Sequence, residues 1–146
     1  MPRHLFVSTC NALIRRSIDL RRLYRHAATA CEPGLRMVLN DNVHTLDLLI
    51  AELQAQLRDR GGEPCEHGSW RGTVHRHLTG WLMRTVARRD NAWIRALAHG
   101  ESALLHRFEQ AIANAPAESA LLLRRQLPRL RGIHLDMHSL AGTARY

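Results

Sequence analysis

The chain has 146 residues, 45% of them hydrophobic, which suits one domain (residues 1–146) built around a single core. No run of about 18 apolar residues occurs, which excludes a membrane-spanning segment, and the opening "MPRHLFVSTCNALIRR" lacks the order of a secretory signal, so a cytoplasmic protein is expected. All 21 basic residues are arginine and the formal charge is +8, while three cysteines are too few for a disulfide framework.

Helical punctuation divides the rest, and nothing alternates long enough to be a strand, so the expected class is all-α. Ser8 or Thr9 can cap a first helix running to about Ala30, with Cys10, Leu13, Ser17, Leu20, Tyr24, Ala27 and Cys31 on its inward stripe. Glu32-Pro33 ends that helix and starts a second over about 34–60, because proline fits a first helical turn. Leu35, Leu39, Asn42, Leu46, Leu49, Leu53 and Leu57 recur along it at near-heptad spacing, and Gly61-Gly62 closes it.

After the connection "GGEPCEHG", Ser69 can cap a shorter helix over 70–88 that packs Trp70, Val74, His77 and Trp81 against the bundle. Asp90 or Asn91 opens a helix to Asn114 with Trp93, Leu97, Glu101, Leu104, Phe108 and Ala111 on one face. Pro116 breaks it. The last helix, 117–141, should kink at Pro128, whose ring removes a backbone donor. Four long helices in two pairs, with the short helix in the middle connection, make a four-helix bundle with a long crossover.

The landmarks "LYRHAA" after Asp19, "AELQAQLRDRGGEP", "GSWRGTVHR" and "HGESALLHRF" occur in that order. On these the chain resembles an uncharacterised bacterial ferritin-like four-helix-bundle family, a domain of unknown function. The resemblance covers roughly residues 11–138. It implies a ferritin-like fold and no particular activity.

Such bundles hold paired metal ions with four carboxylates and two imidazoles projected inward. Asp41 and His44, three residues apart in "NDNVHTLDLL", have the right spacing. A helix turns about 100° per residue, however, so both lie roughly 140–160° from the leucine direction and face solvent. The inward polar residues are Tyr24, Asn42 and Glu101, joined by His134 and His138 on the last helix, and Arg131 stands three before His134 where a glutamate would belong. One carboxylate cannot hold two divalent ions. The expectation is therefore no intact di-metal centre, no catalytic residue, and an interior pair between Glu101 and Arg131 completed by His134 and Tyr24.

Three functions remain open at this point. The first is a bundle without metal that acts as a binding or stress-related scaffold. The second is a divergent iron or manganese protein using Glu101, His134 and His138, with Asp41 and His44 if the second helix is rotated. The third is an arginine-mediated nucleic-acid binder, disfavoured because acidic residues are interleaved and only 5% of residues are aromatic. Partners are otherwise unspecified. A homo-oligomer is compatible with the sequence.

Overall fold

The computed structural model describes residues 3–68 and 89–143, and the Trp70–Trp81 helix expected in the crossover lies outside them. The described residues form five α-helices and no strand: α1 (Arg3–Ala30), α2 (Pro33–Asp59), α3 (Arg89–Asn114), α4 (Ala117–Arg124) and α5 (Leu127–Thr143). The molecule is an all-α helical bundle.

α1 begins a full turn before the Ser8 or Thr9 cap expected from the sequence. Phe6 is the reason: it is buried four residues ahead of Cys10, extends the inward stripe, and lies under the Arg60 guanidinium at 4.9 Å from the ring centroid. Burial of that stripe outweighs the local capping preference. Every position of the expected α1 stripe, from Cys10 to Cys31, is buried.

Glu32 stops α1 and caps α2, its carboxylate accepting the Leu35 N–H at 2.9 Å while Pro33 occupies the first helical turn. At the other end the Gly61 and Gly62 N–H groups donate to Arg58 and Leu57 carbonyls, and Gly61 takes φ of 78°, which glycine adopts without a Cβ penalty. Leu39, Leu46, Leu49 and Leu57 are fully buried between, each contributing about 1.5–3 kcal/mol of transfer free energy.

The expected last helix is two helices. A turn at Arg125-Gln126 separates α4 from α5, and Pro128 sits in the first turn of α5, where its missing N–H costs no helical bond. Sequence alone located the interruption within a few residues. It missed that the helical phase is reset there.

Neighbouring helices run antiparallel. Arg21 reaches Asp47 across α1 and α2, Leu20 touches the position of a Gly100 Cβ across α1 and α3, Glu101 meets His134 across α3 and α5, and Asn42 meets Met137 across α2 and α5. α1 and α2 form one hairpin and α3 and α5 the other. α2 ends beside Val7 at one end of the bundle, whereas α3 starts about 16 Å before Gly100, toward the other end. The chain between them therefore joins diagonal partners across the length of the bundle.

Residues 61–68 are fastened to the hairpin by side chains. Asn11 donates to the Glu63 carbonyl at 3.0 Å and accepts from the Cys65 N–H at 2.7 Å, and Gln54 donates to the Cys65 carbonyl at 2.8 Å. Gly68 lies so close to α1 that an added Cβ would fall 2.2 Å from the Asp19 carboxylate. Two of the sequence landmarks, Asp19 and the Gly68 that opens the crossover motif, are thus neighbours.

Candidate functional site

Buried polar side chains are few, and each is placed by the apolar stripe that carries it. Ser17 returns its hydroxyl to the Leu13 carbonyl at 2.7 Å. Tyr24 is fully buried with no hydrogen-bond partner for its hydroxyl among the described residues, and Asn42 donates to the Met137 sulfur at 3.8 Å. Glu101 is fully buried between Leu97 and Leu104 on α3. The registers described above bring Tyr24, Asn42 and Glu101 within about one helical turn of the same level.

Glu101 is met by His134, whose Nδ1 lies 2.7 Å from Oε1 and 2.9 Å from Oε2, and by the Ser102 hydroxyl at 3.5 Å. Arg131 is exposed and takes no part, which overturns the expected Glu101–Arg131 pair. The physical cause is the reset at Arg125-Gln126. Counted from Leu123 the wheel brings Arg131 to the edge of the core; in α5 the buried line is Gln126, Leu130, Ile133 and Met137. From that line His134 stands roughly 65° away and Arg131 roughly 125°, so the imidazole, not the guanidinium, leans on α3.

His138 follows one turn after His134, their rings 4.0 Å apart and edge-on. One donor atom from each of Glu101, His134 and His138 lies within 4.8 Å of the other two. The group grades outward: Glu101 is sealed, the His134 side chain is 33% exposed, and His138 is exposed, so the cluster opens to solvent along one side of α5. Asp41 and His44 are both exposed on α2 and do not join it. His26, His67, His99 and His106 are exposed as well, while His75 and His77 lie outside the described residues.

Burial pushes the Glu101 carboxyl above the usual carboxylate range, with the hydrogen bond and charge of His134 acting the other way. The Tyr24 phenol is raised by burial first, then by the negative charges of Glu101 and Asp136. The interior around Glu101 is thus short of positive charge. Elsewhere, burial pushes the Cys10 thiol up to about 11, so it behaves as a small core hydrophobe, and Cys10, Cys31 and Cys65 form no disulfide.

Sequence reading missed the attachment of Cys65, whose sulfur accepts from Arg15 at 3.2 Å, and the Arg129–Glu52 ion pair, in which Arg129 holds the Glu52 carboxyl below its usual range. Both depend on loop path and helix register, which no periodicity encodes.

The fold and the cluster define a helical-bundle protein with a histidine–carboxylate group between two helices. The sequence pattern of the family described as Domain of unknown function (DUF2383) matches residues 6–114, and the chain belongs to that family. The match ends at the last residue of α3, so it includes Glu101, Tyr24 and Asn42 and stops before His134 and His138. No significant match was found among curated proteins or among solved structures. No described helix is long and apolar enough to cross a membrane.

Proposed function

We propose that this chain is a ferritin-like bundle reduced from a paired-ion centre to a site for a single divalent transition ion, held by Glu101, His134 and His138. The observation that carries this reading is the convergence of three donor atoms within 4.8 Å across α3 and α5. Two imidazoles and one carboxylate, with the remaining positions open, are the donor set of non-haem iron(II) sites, and manganese(II), cobalt(II) or zinc(II) fit the same atoms.

The spacing supports the reading. Ligand bonds of about 2.0–2.2 Å at right or tetrahedral angles set neighbouring donors about 2.9–3.5 Å apart. The Glu101–His134 separations of 2.7 and 2.9 Å lie at or just below that range, while the three donors together span up to 4.8 Å, so holding an ion takes an outward movement of the His134 imidazole and a closing movement within the group. The ion would also offset the charge that burial penalises on Glu101. Two ions would still lack their carboxylates, which is why the proposal stops at one.

The ferritin-like assignment rests on the two antiparallel hairpins joined by a diagonal crossover. What the residues do is bind and orient: Glu101 anchors from the sealed side, His134 bridges core and surface, and His138 closes the group where solvent and solutes enter.

The test is metal analysis of untagged protein followed by anaerobic titration with iron(II) and cobalt(II). One ion per chain is expected. His134→Ala should abolish binding, and Glu101→Gln, which removes a ligand and its charge, should weaken it by more than the about ten- to hundredfold that losing an outer-shell partner costs. Binding should also fall toward acid pH as the ligands take up protons. A wild-type chain that holds no ion, or two, would refute the proposal.

A further inference from the structure

The core holds an unused donor beside an under-supplied acceptor. The Tyr24 ring is fully buried, yet its hydroxyl has no hydrogen-bond partner among the described residues, and a phenylalanine would fill the same space without that cost. Glu101 is the only charged side chain buried among the described residues. A carboxylate offers about four acceptor sites, and this one meets a single imidazole nitrogen at 2.7 and 2.9 Å and the Ser102 hydroxyl at 3.5 Å. The helices aim the two groups at each other. Leu20 of α1 packs so close to Gly100 of α3 that an added Cβ would lie 3.0 Å from it, which sets Tyr24 opposite the turn before Glu101. Side chains of an α-helix lean toward its N-terminus. Because α1 and α3 run antiparallel, Tyr24 leans back toward the level of Gly100, and Glu101 leans toward the level of Tyr24. Burial and the nearby Glu101 charge keep the proton on the phenol, so it remains a donor.

We propose that Tyr24 is the reserve donor of Glu101: its hydroxyl takes up the carboxylate when His134 leaves it, and so positions Glu101 as an ion ligand. The occasion for that exchange rests on the single-ion reading above. Holding an ion takes an outward movement of the His134 imidazole, which withdraws the main donor of Glu101, and an imidazole nitrogen bound to an ion has no proton to give. The carboxylate oxygen turned away from the ion would then lie buried with only Ser102 in reach. The phenol supplies the missing donor from the sealed side, and its cost in the ion-free protein is the cost of keeping it ready. Tyr24 touches no ion and transfers no proton. It acts through Glu101.

The test combines urea unfolding without metal and cobalt(II) titration, both on the full chain. Without metal, Tyr24→Phe should leave the urea midpoint unchanged or raise it, because the hydroxyl it removes is unpaired. The same substitution in a His134→Ala background should lower the midpoint, the hydroxyl there having become the donor to Glu101. With cobalt(II), Tyr24→Phe should weaken binding at least tenfold, about 1.4 kcal/mol, and shift the cobalt absorption bands. Trp93→Phe removes another unpaired buried donor, more than two turns from Glu101, and should leave the affinity as it is. The same midpoint shift from Tyr24→Phe in both backgrounds overturns the exchange whether or not an ion binds. Cobalt affinity unchanged by Tyr24→Phe, or weakened equally by Trp93→Phe, overturns it as well. A wild type that takes up no cobalt, while the His134→Ala background shows the added loss, refutes the ion site and leaves the donor role standing.

Discussion

Replacing Trp93 by alanine is expected to cost about 3–5 kcal/mol, the range for truncating a large buried aromatic. Trp93 is fully buried near the start of α3, and its indole N–H has no acceptor among the described residues, so packing holds the ring there. That orphan donor makes the conservative variant informative. Trp93→Phe loses volume but also removes a buried unpaired N–H, itself worth about 1–3 kcal/mol of desolvation, so its net cost should be well under half that of alanine. Urea unfolding of the three proteins measures both. Equal losses for phenylalanine and alanine would show that the indole N–H is satisfied by a group that the packing does not reveal.

The second large effect concerns the Glu101–His134 pair. His134→Ala leaves a buried carboxylate with only the Ser102 hydroxyl, and should destabilise the metal-free protein by about 2–3 kcal/mol at neutral pH, less than for a fully sealed pair because the imidazole is partly open. Glu101→Gln in the same background should recover most of the loss. The pH dependence follows from the raised carboxyl. Below the ordinary value of 4.5 Glu101 is neutral folded or unfolded, and its proton costs nothing; above 4.5 the unfolded chain gives up that proton while the buried group keeps it, so stability falls until pH passes the higher folded value, where it levels off. Between those two values the wild type should lose stability with rising pH, and Glu101→Gln should lose less. Parallel profiles for both proteins would mean that Glu101 stays ionised throughout.

Most of the architecture was legible in the sequence because it follows from burial at a fixed period. The leucines of α2, the small-residue stripe of α1 and the line from Trp93 to Phe108 were placed correctly, since an uninterrupted helix carries its phase from one end to the other. Glu101 was found inward for the same reason. The reading failed where phase was interrupted. Arg131 was placed at the interior by carrying one periodicity straight through the Arg125-Gln126 turn, beyond which the buried face shifts, and His134 took its place. The early start of α1 escaped notice because a capping preference at Ser8 is a local signal, whereas the burial of Phe6 under Arg60 joins residues more than fifty positions apart.

The diagonal crossover also dictates an order of assembly. α1 and α2 are tied by two residues, so their pairing is local and fast, and α3 can find α5 across the short α4 segment. Contacts between the hairpins, such as Asn42 with Met137, instead close loops of about ninety residues and carry the entropy of doing so. The Glu101–His134 pair belongs wholly to the second hairpin, separated by 33 positions, and can form before docking. The interior polar level is thus built from two halves that mature separately, and Tyr24 and Asn42 reach it only at the rate-limiting encounter. Refolding kinetics should show this as a rate sensitive to substitutions at Leu39, within the first hairpin, while those at Met137, on the docking face, act mainly on unfolding.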